Sequence, residues 1–327
     1  MAPSAVYEHS ISPSSPHRIG QLLEETSGHI DTINVFKGIL QSKTNTAPSD
    51  GPSISTTTQP SSPKNKTQFR QYTAACSGVH SFYTEQHTKQ TVAYNLYARH
   101  QFHHGPPRAT MTVWEAIEKL NTLIDESDPD TELSQIQHLL QTAEAIRRDG
   151  KPRWMQLVGL IHDLGKLLYF FNSCGQWDVV GDTFPVGCAF SDKIIYHESF
   201  ALNPDSKDPI YSTEHGIYSS GCGIRNVMLS WGHDEYLYEV LKRAGSAIPE
   251  EGLAMVRFHS FYAWHREGAY AWVMDGEGDR KMLEAITSFN PYDLYSKSDN
   301  PPWVEKLKPY YMELIDEFFG AGRKIEW

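Results

Sequence analysis

The part of the sequence most suited to chemistry is a histidine–aspartate pair inside an apolar stretch. His162 and Asp163 lie in LVGLIHDLGK, and Lys166 follows three residues after the aspartate. A charged carboxylate without a partner is costly to bury, so a neighbouring group must offset its charge. An ion pair between Asp163 and Lys166 beside a core histidine would do so, and so would a bound metal ion. The pair alone leaves these two interpretations open.

Three more histidines and a late aspartate shift the balance towards metal. His138, His233 and His259 lie in helical or apolar stretches, and Asp293 lies in FNPYDLYSK. Imidazole and carboxylate ligands suit Fe, Mn or Zn, whereas the absence of paired cysteines argues against a thiolate site. Four histidines and two aspartates are too many for one tetrahedral zinc. They suit two metal ions roughly 3.5–4 Å apart, with one carboxylate bridging them.

The other histidines lack such a pattern. His103 and His104 precede a Gly-Pro pair, so we expect a solvated loop there. His265 follows His259 by six residues, a spacing that does not place both side chains on one helical face. Asp234 makes a second His-Asp pair, and we interpret it as a residue of a helix start or a neighbour of a ligand.

Helices must position these residues, and the hydrophobic periodicity predicts an all-α single domain. Thr112 and Glu115 form a capping-box pattern at the start of one helix. The helix that begins at Pro152 is apolar on nearly all sides and should be buried. A turn-rich loop is expected over 181–187. The predicted helices are 86–101, 112–124, 134–148, the one from 152, 217–229, 234–244, 249–259, 280–289 and 303–318.

Composition limits the classes of function. The chain has 327 residues and a net charge of −11, which disfavours nucleic-acid and anionic-membrane binding. Its four cysteines form no C-x-x-C pair, which indicates free thiols in a reducing compartment. No secretory signal or long apolar run is visible, so we expect a cytoplasmic protein. Ser, Thr and Pro dominate much of residues 1–67, which we expect to be a mostly disordered, dispensable extension before a domain over 68–327.

Several long segments resemble the myo-inositol oxygenase family, in the same order along the chain. The similarity runs from about Phe69 to Trp327. The segments besides LVGLIHDLGK are FRQYT (69–73), LIDESDPD (123–130), QTAEAIR (141–147), QWDVVGDTFPVGC (176–188), DPIYSTEHGIY (208–218), SWGHDEYLYEV (230–240), RFHSFYAWH (257–265) and KLKPYYMELID (306–316). The N-terminal extension and a small insertion near 172–175 depart from the family pattern.

The resemblance implies a helical fold related to HD-domain phosphohydrolases and two iron ions per chain, mixed-valent Fe(II)/Fe(III) in the active form. It implies that O2 is used to cleave the ring of myo-inositol to D-glucuronate. The implied iron ligands are His138, His162 and Asp293 at one iron, His233 and His259 at the other, and Asp163 as the bridge. The implied substrate-binding residues are Arg70, Asp125, Glu126, Ser127, Lys166, Gly181, Asp182, His259 and Ser260.

Within this interpretation Lys166 is the candidate catalytic residue, because it lies on the ligand face of its helix. We expect it to hydrogen-bond the hydroxyl next to the reacting carbon and to take up its proton, or else only to pair with a neighbouring carboxylate. The partners expected are myo-inositol and O2, without nucleic acid or membrane, and the chain is expected to be a monomer. An HD-type metal-dependent phosphohydrolase and a non-catalytic helical protein with a structural metal are the alternatives.

Overall fold

The computed structural model describes residues 77–122, 134–171, 173–295 and 302–327, and this part of the chain is mainly helical, as predicted. Its only strands form one short antiparallel pair. In chain order the elements are α1 (Ser77–Lys89), α2 (Val92–His104), β1 (Thr110–Met111), α3 (Val113–Leu120), α4 (Gln135–Arg148), α5 (Arg153–Ile161), α6 (His233–Ala244), α7 (Glu250–Phe258), α8 (Tyr262–His265), α9 (Gly276–Tyr295), α10 (Val304–Phe319) and β2 (Ile325–Glu326). Short 3-10 helices cover Leu164–Phe170, Gln176–Asp178, His197–Leu202, Pro204–Lys207, Ile224–Asn226 and Ala271–Val273.

The centre of the molecule is built around α5. This helix packs against α4 on one side and α7 on the other, and α7 in turn contacts α6 and α9. Leu157, Leu160 and Ile161 of α5 are completely buried, as the all-round apolar pattern predicts. The helices that carry or precede the four histidines and two aspartates of the candidate metal site are therefore neighbours in the core.

Helix α5 is shorter than the sequence predicts. It ends at Ile161, and a 3-10 helix begins at Leu164, so His162 and Asp163 lie at the junction rather than inside one long helix. Gly165 explains the change of path, because a Cβ atom there would lie 1.8 Å from the backbone oxygen of His233. The absent side chain lets the 3-10 segment approach the start of α6.

The prediction of one continuous helix over 86–101 is wrong. The structure has two helices there, α1 and α2, separated at Gln90 and Thr91. Oγ1 of Thr91 accepts a hydrogen bond from the Tyr94 amide at 3.1 Å, which makes Thr91 the N-cap of α2. Local capping chemistry therefore prevails over the continuous apolar pattern.

The predicted helix over 217–229 is also wrong. Only a 3-10 turn forms there, and the chain then runs extended, with the Val186 amide bonded to the Met228 oxygen at 2.9 Å. Gly216, Gly221 and Gly223 have φ angles of 56°, 70° and 90°. These left-handed conformations interrupt any regular helix.

Other boundaries agree closely. The capping box at Thr112 is confirmed, because the Glu115 amide donates to Oγ1 of Thr112 at 3.1 Å and the Glu115 carboxylate accepts from the Thr112 amide at 2.7 Å. That helix ends at Leu120, and residues 123–124 of the prediction lie outside the described part. The helix predicted over 280–289 is longer and spans all of α9.

The chain's C-terminus is tied to the body of the fold through the β1–β2 pair. The Trp327 amide donates to the Ala109 oxygen at 2.9 Å, and the indole of Trp327 is buried. Cys174, Cys188 and Cys222 are free thiols, as expected. Among the described helices, none is both long and apolar enough to cross a membrane. The prediction of a disordered extension over 1–67 concerns residues outside the described part.

Candidate metal centre

Asp163 lies between two pairs of histidines. Its Oδ2 atom is 3.5 Å from Nε2 of His138 and 3.4 Å from Nε2 of His162. Its Oδ1 atom is 3.6 Å from Nε2 of His233 and 3.8 Å from Nε2 of His259. In each group the possible ligand atoms lie within 4.8 Å of one another. One carboxylate thus presents one oxygen to each of two groups that could hold a metal ion.

Asp293 completes the first group. It comes from α9, and its Oδ1 atom lies 3.2 Å from Nε2 of His162 and 3.5 Å from Nε2 of His138. The structure therefore gathers residues of α4, α9 and the α5 junction around one position. These three residues are separated by up to 155 residues in sequence, and the fold brings them together as the resemblance implies.

Two of the imidazole rings are oriented by the same local arrangement. His162 and His259 each follow the last residue of a helix, and Nδ1 lies 2.9 Å from the Gly159 oxygen in one case and 3.0 Å from the Val256 oxygen in the other. A carbonyl oxygen can only accept, so Nδ1 carries the proton and donates. The Nε2 lone pair is then directed at the cluster, as a metal-binding histidine requires.

The electrostatics of the cluster also suit a cation. Burial lowers the pKa of His162, but Asp163 and Asp293 outweigh it and raise that pKa to about 9. For Asp163 and Asp293, burial raises the carboxyl pKa, and the surrounding histidines reverse this and lower it. The carboxylates therefore stay ionised, and positive charge is favoured between them. Imidazole nitrogens and ionised carboxylates are ligands that suit Fe, Mn or Zn, and a bound cation would compete with protons at these sites.

Asp234 is closer to the centre than the sequence suggests. It is fully buried in the first turn of α6, and its Oδ1 atom lies 2.5 Å from Nε2 of His233 and 3.0 Å from Nε2 of His259. Its Oδ2 atom accepts a hydrogen bond from the Ser260 amide at 3.2 Å. The repeated His-Asp pair was the signal for this residue, and its contact with both histidines depends on how α6 and α7 pack.

His265 is a second residue whose role the spacing did not show. Its Nε2 atom lies 3.0 Å from the backbone oxygen of His259, so the ring donates to that carbonyl. The bond crosses from α8 back to the end of α7 and fixes the turn that carries His259 and Ser260.

The candidate substrate-binding residues that the structure describes lie beside these groups. Nζ of Lys166 donates a hydrogen bond to Oδ2 of Asp163. Ser260 follows His259, and its backbone oxygen accepts from the Thr183 amide at 3.0 Å. Asp182 is therefore held next to the end of α7. The other candidates, Arg70, Asp125, Glu126 and Ser127, lie outside the described residues.

Gly181 shapes the loop before Asp182. Its φ of 115° disfavours any other residue, and a Cβ atom would lie 2.4 Å from Nε2 of Gln86. That nitrogen donates to the backbone oxygens of Val180 and Asp182 at 3.1 and 3.2 Å. The Asp182 carboxylate accepts from the Tyr83 hydroxyl at 3.1 Å. The loop is thus fixed by α1, and the expected turn-rich segment is confirmed as irregular.

Lys166 and Ser260 adjoin the two histidine groups, and Asp182 is held next to Ser260. Donors and acceptors for a hydrogen-bonding ligand therefore lie beside the candidate metal positions.

Comparison with known proteins identifies the family of the chain. A model of the family described as "Myo-inositol oxygenase" matches residues 76–327. "Inositol oxygenase 5" of Arabidopsis thaliana is 49% identical over 268 residues, covering 80% of this chain and 84% of the relative. "Inositol oxygenase" of Dictyostelium discoideum is 46% identical over 269 residues, covering 81% and 91%. "Inositol oxygenase" of Danio rerio is 46% identical over 259 residues, covering 78% and 92%. The chain belongs to the myo-inositol oxygenase family.

Proposed function

We propose that this protein is a di-iron oxygenase that uses O2 to cleave the ring of myo-inositol to D-glucuronate. The observation that carries the proposal is the position of Asp163, whose two oxygens face two separate histidine pairs. A carboxylate placed in this way is the expected bridge of a two-metal site. Membership of the family supports inositol as the substrate, and the histidine and aspartate donors suit iron.

The proposed ligands divide between two irons. His138, His162 and Asp293 would hold the first iron, His233 and His259 would hold the second, and Asp163 would offer a ligand to each. When bound, the two irons supply redox chemistry with O2 and Lewis-acid activation of substrate hydroxyls. Because the protein provides few ligands to the second iron, it would be the one open to substrate, unlike a closed structural site.

The residues of the chain bind the polyol and accept or donate its protons. Lys166 hydrogen-bonds the hydroxyl next to the reacting carbon and, in its neutral amine form, accepts the proton that this hydroxyl releases. Asp182 and Ser260 hold other hydroxyls, with Gly181 allowing close approach of the backbone. By resemblance, Arg70, Asp125, Glu126 and Ser127 cover the rest of the substrate. His259 contributes both to the metal and to the substrate pocket.

The overall reaction balances without a nicotinamide cofactor. One myo-inositol and one O2 contain the atoms of one glucuronic acid and one water. Ring cleavage is a four-electron oxidation of the substrate, and O2 takes up all four electrons. No external reductant is therefore consumed in each turnover, and O2 and inositol suffice as substrates.

The test is to supply the purified protein with iron and myo-inositol and to follow O2 uptake and glucuronate together. We expect the two to appear in equal amounts. Phosphate release from a phosphomonoester, without O2 uptake, would instead favour the HD-type phosphohydrolase. Firmly bound metal with neither activity would favour a structural metal site.

A further inference from the structure

A buried ion pair joins the two helices that carry the second pair of histidines. Glu235 comes two residues after His233 on α6, and Arg257 comes two residues before His259 on α7. Nη2 of Arg257 lies 2.7 Å from Oε1 of Glu235, and the two side chains are 1% and 0% exposed. The pair therefore links the helices beside the two histidines.

Arg257 also holds the chain segment that leads into α6. Its Nη1 donates to the Arg225 oxygen at 3.0 Å, and its Nη2 donates to the Val227 oxygen at 3.4 Å. Two residues further on, the Leu229 oxygen accepts from Nη2 of the buried Arg99 at 2.7 Å. The side chain of Arg257 thus joins three parts of the fold: α6, α7 and the segment before His233.

Gln90 holds the end of the same segment. Its side-chain nitrogen donates to the Trp231 oxygen at 2.8 Å, and its side-chain oxygen accepts from the Trp231 amide at 3.0 Å. The carbonyls at 227, 229 and 231 alternate as they do in extended backbone, where every second residue faces the same side, and the carbonyl at 225 belongs to the 3-10 helix before them. Three buried side chains therefore fix the path of the chain as far as Trp231, two residues before His233.

Such an arrangement is poorly explained by stability alone. A buried ion pair recovers little more than its cost of desolvation, and apolar residues of the same volume are often as stable. The planar guanidinium contributes direction instead, because its fork of donors fixes several acceptors relative to each other. The ion pair therefore serves to fix geometry, namely the position of His233 relative to His259. The Nε2 atoms of these two histidines lie 3.1 Å apart.

We propose that Glu235 and Arg257 are positioning residues of the second metal, holding His233 and His259 at the separation that this metal requires. The inference rests on the proposed two-metal function. The first group would be affected little, since its ligands come from α4, α9 and the end of α5. Loss of a group that orients metal ligands typically weakens metal affinity about 10- to 100-fold.

The central experiment compares Glu235→Gln with Glu239→Gln. Glu239 lies one turn further along α6 and is also buried, at 4% exposed. Burial raises the pKa of its carboxyl to about 8, so near neutral pH it is mostly protonated and an amide replaces it closely. The two substitutions thus make the same chemical change on one helix. Glu235→Gln makes it close to the proposed metal, and Glu239→Gln makes it one turn farther away.

Each protein is loaded anaerobically with Fe(II), dialysed against increasing chelator, and measured for iron per chain. We expect the wild type and Glu239→Gln to retain two irons at a chelator concentration where Glu235→Gln retains one. Excess Fe(II) should restore turnover to Glu235→Gln, which a merely unfolded variant would not show. If Glu235→Gln retains both irons as firmly as Glu239→Gln, the proposal is wrong.

Arg257→Lys provides a second route if Glu235→Gln does not fold. It keeps a positive charge opposite Glu235, but a single ammonium cannot span the carboxylate and both backbone oxygens. We expect the same selective loss of one iron, and retention of both would overturn the proposal. A wild type that never binds two irons would instead refute the proposed function, so the two failures are distinguishable.

Discussion

Nζ of Lys166 donates a hydrogen bond to Oδ2 of Asp163, the carboxylate oxygen that also faces His138 and His162. The two interpretations of the sequence, an ion pair and a metal ligand, are therefore compatible in one carboxylate. Both side chains are almost completely buried. The lysine is held at the edge of the metal centre, where a substrate hydroxyl bound there could reach it.

Lys166→Ala should keep two irons and lose turnover. Removing a positioned proton acceptor typically costs about 10²- to 10⁴-fold in rate, and we expect kcat/KM to fall by at least about 100-fold. Lys89→Ala is the matched control, because Lys89 is exposed and makes only surface contacts in the described part of the chain, with Glu85 one turn earlier and with the Trp177 ring. Iron content and initial rates of glucuronate formation would be measured for both. Near-normal kcat/KM in Lys166→Ala would exclude the catalytic role.

Asp163→Ala and Asp293→Ala should differ in the number of irons that they lose. Asp163 faces both histidine pairs, whereas Asp293 contacts only His138 and His162 within the described part of the centre. We expect Asp163→Ala to weaken the binding of both irons and Asp293→Ala to weaken the binding of one. Iron per chain would be measured after dialysis against a chelator. Equal retention of iron in the two variants would contradict the bridging position of Asp163.

Gly165→Ala should disturb the second histidine pair without touching a ligand. A Cβ atom at this position would overlap the backbone oxygen of His233. Overpacking of this kind costs about 1–3 kcal/mol and here must displace backbone. Gly278→Ala is the control, because its Cβ would meet nothing within 4 Å. Urea unfolding and iron content would be compared, and unchanged values in Gly165→Ala would show that this close approach is not required.

His87 should make the protein less stable in acid. Burial lowers its pKa to about 3, and the ring stacks on Phe200 with centroids 3.8 Å apart. Below the unfolded pKa of about 6.5 the unfolded chain binds a proton that the native state does not, so stability falls as pH falls towards 3. Between pH 6.5 and 5 this contribution reaches about 2 kcal/mol.

His87→Gln removes that contribution, whatever its effect on stability at neutral pH. The free energy of unfolding of both metal-free proteins would be measured in urea at several pH values. We expect the wild type to lose about 2 kcal/mol more than the variant as the pH falls through this range. Parallel curves for the two proteins would mean that His87 is protonated in the native state.

A chain that starts at Gln68 should fold and retain activity. The family match begins at residue 76, and the candidate metal ligands that the structure describes begin at His138. Thermal unfolding and glucuronate formation of the truncated and full-length chains would be compared. Failure of the truncated chain to fold would show that residues 1–67 are part of the domain.

Strong local patterns explain which helices could be predicted. The apolar stripe of α4 and the capping box of α3 are set by residues close in sequence, and both are confirmed. The helix predicted over 217–229 failed because two glycines inside it and one just before it adopt left-handed conformations that apolar spacing does not reveal. The break between α1 and α2 depended on one capping threonine.

The candidate site also has features that the sequence predicts and features that it does not. The order of histidines and aspartates predicted that a two-metal centre would form, and the fold brings those residues together. The contact of Asp234 with both His233 and His259, and the Glu235–Arg257 pair, could not be predicted. They depend on how two helices pack across a loop, and no local spacing encodes that packing.

The most direct test of the proposed function is turnover under oxygen-18 gas in ordinary water, with the glucuronate analysed by mass spectrometry. Cleavage of the inositol ring by O2 places one labelled atom in each glucuronate, and the second labelled atom leaves in water. We expect singly labelled glucuronate in an amount equal to the O2 consumed. Glucuronate without label, or consumption of O2 without any glucuronate, would contradict the account.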